Sequence, residues 1–152
     1  MTTPTNTEDT LRELLTLLAR SKFSWFSSVR PDGRPHSVPI WHVMHEEHIY
    51  FATPSRSVKV ANVRTNPNVA VAAYLLDTPE SGLIVEGLAR LRPDLRESVS
   101  KFFEEKYEWN ITEDDEHDAL IEVEPTRLIA WGQYGEGHWS GAGIRKAARG
   151  EI

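Results

Sequence analysis

The chain has 152 residues, a formal net charge of -6 at pH 7, 39% hydrophobic residues and no cysteine. That length fits one domain of ordinary size with a sizeable core, while the acidic balance disfavours a general nucleic-acid surface, which needs a clustered basic face. Without cysteine there is no disulfide framework, thiolate metal site or catalytic thiol.

No apolar run approaches the ~20 residues of a membrane span. The N-terminal MTTPTNTEDT has neither the basic nor the apolar part of a signal peptide, so a cytoplasmic location is expected. Thr7 is placed to cap a helix: acids occupy the turn after it, and Leu11, Leu14, Leu15 and Leu18 follow at helical spacing. Phe23 to Val29 is aromatic and β-branched, Pro31-Asp32-Gly33 is a turn signal, and His36 to Val43 resumes an extended pattern, which together predict a β-hairpin. His45 to His48 reads as a polar turn before a strand over His48 to Ala52. A short helix then ends near Asn66, because Pro67 disfavours helix just before it. Val69 to Leu76 predicts a buried strand and Leu83 to Leu91 another. Asp94 is expected to cap a helix carrying Leu95, Val99, Phe102, Phe103 and Tyr107. Ala119 to Gly132 returns to strand, with Pro125 marking a bulge or an edge.

At least six strands with short connections and three helices predict a mainly β chain with flanking helices, closed as a small antiparallel barrel. Residues 1–134 are expected to form the single domain. Residues 135–152, rich in glycine and basic side chains, are expected to be a flexible tail; a lid anchored by Trp139 is the sharper alternative.

The stretch from Thr53 to Pro67, TPSRSVKVANVRTNP, concentrates donors where a strand ends and a helix begins. The first turn of a helix leaves N–H groups unpaired and carries about half a positive charge, so it makes an anion pocket. Ser55 and Ser57 can donate hydrogen bonds to such an anion, and Arg56 and Lys59 can add charge-assisted contacts. The simpler alternative is that a serine only caps the helix and the two cations solubilise the surface. Neither a glycine-rich Walker pattern nor G-x-G-x-x-G after a strand is present.

In order, the segments R-P-D-G-R-P-H-S-V-P-I-W at 30–41, I-Y-F-A-T at 49–53, S-V-K-V-A-N at 57–62, N-P-N-V-A-V at 66–71 and G-L-A-R at 87–90 resemble the pyridoxamine phosphate oxidase-like split barrels. More narrowly, they are similar to the flavin- and deazaflavin-dependent oxidoreductase branch, over roughly residues 21–131. The resemblance implies a six-stranded antiparallel split β-barrel that is homodimeric and binds FMN or the deazaflavin coenzyme F-420 between subunits. It implies an oxidoreductase transferring hydride to or from a small organic substrate. Ser57 and Lys59 match the family's phosphate-binding serine and lysine, with Ser55 and Arg56 as assisting neighbours. Pro39, Ile40 and Trp41 match the strand beside the cofactor ring, and Asn62 matches a helix-packing position. The S-x-K-x-x-N form of Ser57, Lys59 and Asn62 is closer to the deazaflavin branch.

No catalytic acid or base is singled out, since the cofactor carries the hydride chemistry. His36 is a candidate proton carrier, with an ordinary surface histidine as the alternative. Trp41 reads equally as a core or dimer-contact aromatic. The Arg-x-His motif of true pyridoxamine phosphate oxidases has no match between Ala130 and Ile152, which argues against vitamin B6 oxidation. Two rivals stand beside the enzyme. One is a binding-only barrel that holds a flavin, or haem through His36, His42, His45, His48, His117 or His138; the other is a purely structural dimerisation module. No dedicated metal site is expected, and the acidic run Glu113 to Glu116 reads as a solvated loop.

Overall fold

The structure, a computed structural model, describes residues 8–75 and 78–149. Helix α1 (Glu8–Arg20) buries Leu11, Leu14, Leu15 and Leu18, the stripe its spacing predicts. Its expected cap, Thr7, and the end of the fourth expected strand, Leu76, lie outside the described residues. Strands β1 (Ser24–Val29) and β2 (Pro35–Ile40) pair through a turn in which Gly33 adopts φ +90° and Asp32 accepts from the Arg34 N–H. Strands β3 (Val43–His45) and β4 (His48–Thr53) form a second hairpin turning at Glu46-Glu47. Helix α2 (Val58–Thr65) ends at Asn66, one residue before Pro67. Strands β5 (Asn68–Leu75), β6 (Thr78–Leu91) and β7 (Ala119–Trp131) supply the long antiparallel ladders. Between β6 and β7 lie a 3-10 turn (Pro93–Leu95), helix α3 (Arg96–Tyr107) and a second 3-10 turn (Ile111–Glu113). Strand β8 (Gly137–Ser140) and helix α4 (Gly141–Ala148) follow β7.

The sheet order is β2-β1-β5-β6-β7-β4-β3, with β8 also on β7. Strands β2 and β3 are consecutive in the chain yet stand at opposite ends of that order, joined only by Trp41 and His42. Two residues span roughly 10 Å, so the sheet must curl until its two ends meet. Phe26, Val71, Val85, Ile121, Ile49 and Phe51 fill the interior, and α1 closes it. A second cluster, containing Tyr50, Ala52, Val99, Phe103 and Ile111, seats α3 against the β3-β4-β7 side.

The barrel is thus antiparallel and mainly β with flanking helices, as expected, but eight strands are described rather than six, and four α-helices rather than three. The extended pattern over His36 to Val43 breaks after Ile40 because His42 turns inward, fully buried. Its Nε2 lies 2.8 Å from the Leu18 carbonyl and its Nδ1 3.0 Å from the Ser24 hydroxyl. A carbonyl only accepts, so Nε2 carries the ring proton and Nδ1 accepts from Ser24. Burial holds this imidazole down at about 4, with Lys106 adding repulsion. Asp94 does not cap α3; it sits in the 3-10 turn and accepts from Arg92, leaving Leu95 at the cap position. Pro125 does mark a bulge: it faces Gly87 while Arg127 faces Glu86, so Thr126 is unmatched.

The segment expected to be a flexible tail from Gly135 instead supplies β8 and α4. Trp139, Ile144 and Ala147 join the main core, and α4 packs beside α1. Ser140 caps α4 by accepting from the Gly143 N–H, and Arg149 pairs with the buried Glu47 in the β3-β4 turn at 3.1 Å. Glycine and basic residues conceal an amphipathic helix whose apolar side needs α1 to be covered.

Candidate functional site

The turn leading from β4 into α2 holds Ser57 as an extended N-cap residue whose hydroxyl makes no capping bond. That Oγ is buried without a protein partner. Lys59, two residues further on, is half-buried, and burial lowers its pKa. No carboxylate among the described residues forms an ion pair with it. Asn62 is buried and donates from Nδ2 to Ser28 Oγ at 3.0 Å, tying α2 to β1. His36, on β2, has a buried Nδ1 without a partner; its pKa is lowered first by burial and then by Arg30 and Lys59. An orphaned hydroxyl beside an unpaired, desolvated ammonium at a helix start suits a bound oxyanion.

Ser55 and Arg56 are engaged elsewhere. Ser55 donates from both N and Oγ to the Asp118 carboxylate, each at 2.8 Å, and the exposed Arg56 reaches Glu116 at 3.7 Å. These contacts clip the acidic segment onto the start of α2.

Lys59 lines a cleft of about 600 Å³ with Ile40 and Trp41 from the β2-β3 seam, Thr53 from β4, and Tyr107, Trp109 and His117 from the β6-β7 connection. Pro39 is exposed on edge strand β2 and does not line it. Trp41 stacks on Tyr107, with ring centroids 4.3 Å apart and planes 5° from parallel, and Trp109 meets Trp41 edge-on at 6.0 Å. The Tyr107 hydroxyl accepts from the His42 N–H at 3.0 Å and reaches the Lys22 carbonyl at 2.6 Å, so this aromatic wall is pinned to the seam. Burial raises the Tyr107 phenol to about 12 and lowers Lys106, which donates to the His42 carbonyl, to about 8.

The far end of the connection is equally fixed. Arg96 donates to the carbonyls of Ile111, Asp114 and His117. The Asp114 carboxylate accepts from the backbone N–H groups of His117 and Glu116 and from Trp109 Nε1 at 2.9 Å. The His117 N–H leads the interactions that hold Asp114 down at about 2, so the carboxylate is ionised. Its oxygens lie 3.1 and 3.2 Å from His117 Nδ1. An ionised carboxylate only accepts, which assigns the ring proton to Nδ1 in the neutral imidazole. The acidic run read as a solvated loop is thus in part a cleft wall.

Sequence reasoning reached Ser57, Lys59, Ile40 and Trp41, but not Tyr107, Trp109 and Asp114, and it named His117 only among six histidines. The usable signal was the Y-x-W pair at the end of the α3 pattern. Of the other histidines, His42 has both ring nitrogens engaged, His45 stacks on Phe102, and His138 Nδ1 meets Arg127. Among the described residues no group of three or more His, Asp or Glu is placed to hold a metal ion, and no helix is long and apolar enough to cross a membrane. A larger groove of about 880 Å³ runs along α3, but charged side chains of both signs line it and it has no aromatic wall.

A family profile described as pyridoxamine 5'-phosphate oxidase matches residues 10–132. Among solved structures, an F-420 reductase is 30% identical over 74% of this chain and 93% of its own, with a TM-score of 0.62. General Stress Protein 26 from Bacillus anthracis is 24% identical over 80% of this chain and 92% of its own, with a TM-score of 0.62. A heme binding protein from Mycobacterium smegmatis is 15% identical over 90% of this chain and 60% of its own, with a TM-score of 0.75. The last two show the fold alone. No curated protein sequence matches the chain.

Proposed function

Because the chain belongs to the pyridoxamine 5'-phosphate oxidase family of split barrels, we propose that it is a cytoplasmic oxidoreductase that binds coenzyme F-420 or FMN and acts on a small organic substrate. The observation that carries this reading is the start of α2, where the Ser57 hydroxyl is buried without a partner and Lys59, two residues on, forms no ion pair among the described residues and lines the aromatic cleft. Ser57, Lys59 and the first N–H groups of α2 would hold the phosphate. Ser55 and Arg56 act indirectly, by fastening the 114–118 segment. Ile40 and Trp41 would lie along the ring. The S-x-K-x-x-N form and the likeness to an F-420 reductase favour the deazaflavin. When bound, the cofactor supplies the hydride chemistry; the chain binds it, orients it and keeps water from the reacting faces.

The same proposal includes a homodimer. The outer face of β1, β5 and β6 exposes Trp25 and Tyr74 around Ile84, an apolar patch that a second subunit would cover. A stable monomer in light scattering that still binds cofactor would contradict this part.

The direct test is fluorescence titration of cofactor-free protein with FMN and with F-420, beside Lys59→Ala. One charge-assisted contact contributes roughly 1.5–3 kcal/mol, or about 10- to 150-fold in Kd. A Lys59→Ala protein that binds as tightly as the wild type refutes the phosphate site. A second reading, haem binding without catalysis, is favoured by one observation: His117 donates Nδ1–H to a carboxylate, the arrangement common in metal-ligating histidines. Haem titration that produces no Soret shift removes it.

A further inference from the structure

The Asp114–His117 pair is unexplained by the phosphate site, yet it is built with unusual care for a surface connection. Arg96 fixes the backbone on both sides of it, Trp109 and two backbone N–H groups saturate the carboxylate, and the imidazole is left in the cleft. Other polar groups there are already occupied: the Tyr107 hydroxyl by Lys22 and His42, the Trp109 N–H by Asp114. His117 Nδ1 faces Asp114, which leaves Nε2 as the ring's acceptor, with no partner among the described residues.

The geometry points to His117 as a ligand-contacting residue, with Asp114 as its positioning residue: Nε2 accepts a hydrogen bond from an N–H on the edge of a flat heterocycle bound against Trp41. This rests on the cofactor reading above and deepens it by naming the group that meets the polar edge of the ring. Trp41, with one face stacked on Tyr107, offers apolar area without direction. A fixed acceptor adds direction, and it selects heterocycles that carry an imide or lactam N–H over hydrocarbon rings of the same size.

The test is fluorescence titration of the cofactor-free chain with FMN and F-420 at pH 8, for the wild type, His117→Phe and His117→Gln. A 15N NMR measurement of the His117 ring accompanies it, in the wild type and in Asp114→Asn. The contact predicts about tenfold weaker binding in His117→Phe at pH 8. It predicts partial recovery in His117→Gln, whose amide oxygen can accept. The neutral ring should carry its proton on Nδ1 and lose that preference in Asp114→Asn. His117→Phe binding like the wild type, with Lys59→Ala still weakened, overturns the contact and leaves the phosphate site standing. A wild-type ring protonated on Nε2 overturns it independently. Failure of the wild type to bind either cofactor overturns the parent reading, and a Soret band lost in His117→Phe transfers the residue to haem.

Discussion

Replacing His42 tests whether an imidazole at the barrel seam makes the fold sensitive to acid. The ring is buried and neutral, with both nitrogens satisfied by Leu18 and Ser24, and its folded value is about 4 against 6.5 for the free side chain. The folded value is depressed, so the unfolded chain binds the extra proton first. Stability is therefore full above pH 6.5 and lost as pH falls towards 4. With those two values the linkage removes about 2 kcal/mol between pH 8 and pH 5. Urea unfolding at both pH values, for the wild type and His42→Gln, isolates it. The variant is less stable at pH 8, having lost part of the hydrogen bonding, but its decline on acidification should be about 2 kcal/mol smaller. Carboxylates held below their usual range, such as Asp114, contribute equally to both proteins and cancel. Equal declines would refute the assignment of a neutral, proton-excluding imidazole.

Truncation after Tyr134 should lower Tm by more than 10 °C, because it strips Trp139, Ile144 and Ala147 from the core and large buried side chains contribute about 2–5 kcal/mol each; a differential scanning calorimetry trace unchanged by the deletion would mean that α4 does not pack on α1. Glu122→Ala should cost roughly 3–5 kcal/mol in urea unfolding, since the buried carboxylate joins Tyr50, Arg90 and Arg92, and a loss below 1 kcal/mol would show the network to be solvated.

What was readable in the sequence was local. The leucine stripe of α1, the Pro-Asp-Gly turn and the donors before α2 carry their period or chemistry within a dozen residues. The break after Ile40 was hidden because His42 is turned by a carbonyl on α1 and a hydroxyl on β1, both about twenty residues away. Asp94 looked like a cap until Arg92, two residues before it, took its carboxylate. The C-terminal helix has only Ile144 and Ala147 as apolar anchors, and small residues around them imitate a linker. At the start of α2, Ser57 and the cleft residue Lys59 could be found because strand, turn and helix are contiguous. Tyr107, Trp109 and His117 reach the same place through α3 and a 3-10 turn, and an acidic run becomes a wall only when Arg96 and Trp109 draw it in.

The sheet order also dictates a schedule for folding. Among the described residues, strand β4, which leads into the Ser57 and Lys59 turn, pairs with the short terminal strand β3 and joins the rest of the sheet through β7. During synthesis, the hairpin of residues 43–53 therefore waits without its main partner until residues 119–131 leave the ribosome. Meanwhile β6 also presents a bare edge. Pairings so distant along the chain form slowly and leave sticky intermediates exposed. The cleft comes into being in the same late step, since β7 follows directly on the His117 segment. A nascent chain lacking its last strands holds the Ser57–Lys59 turn and no walls around it, so a ligand that needs both turn and walls would be captured only by the finished barrel and would act as a latch on a late, slow closure.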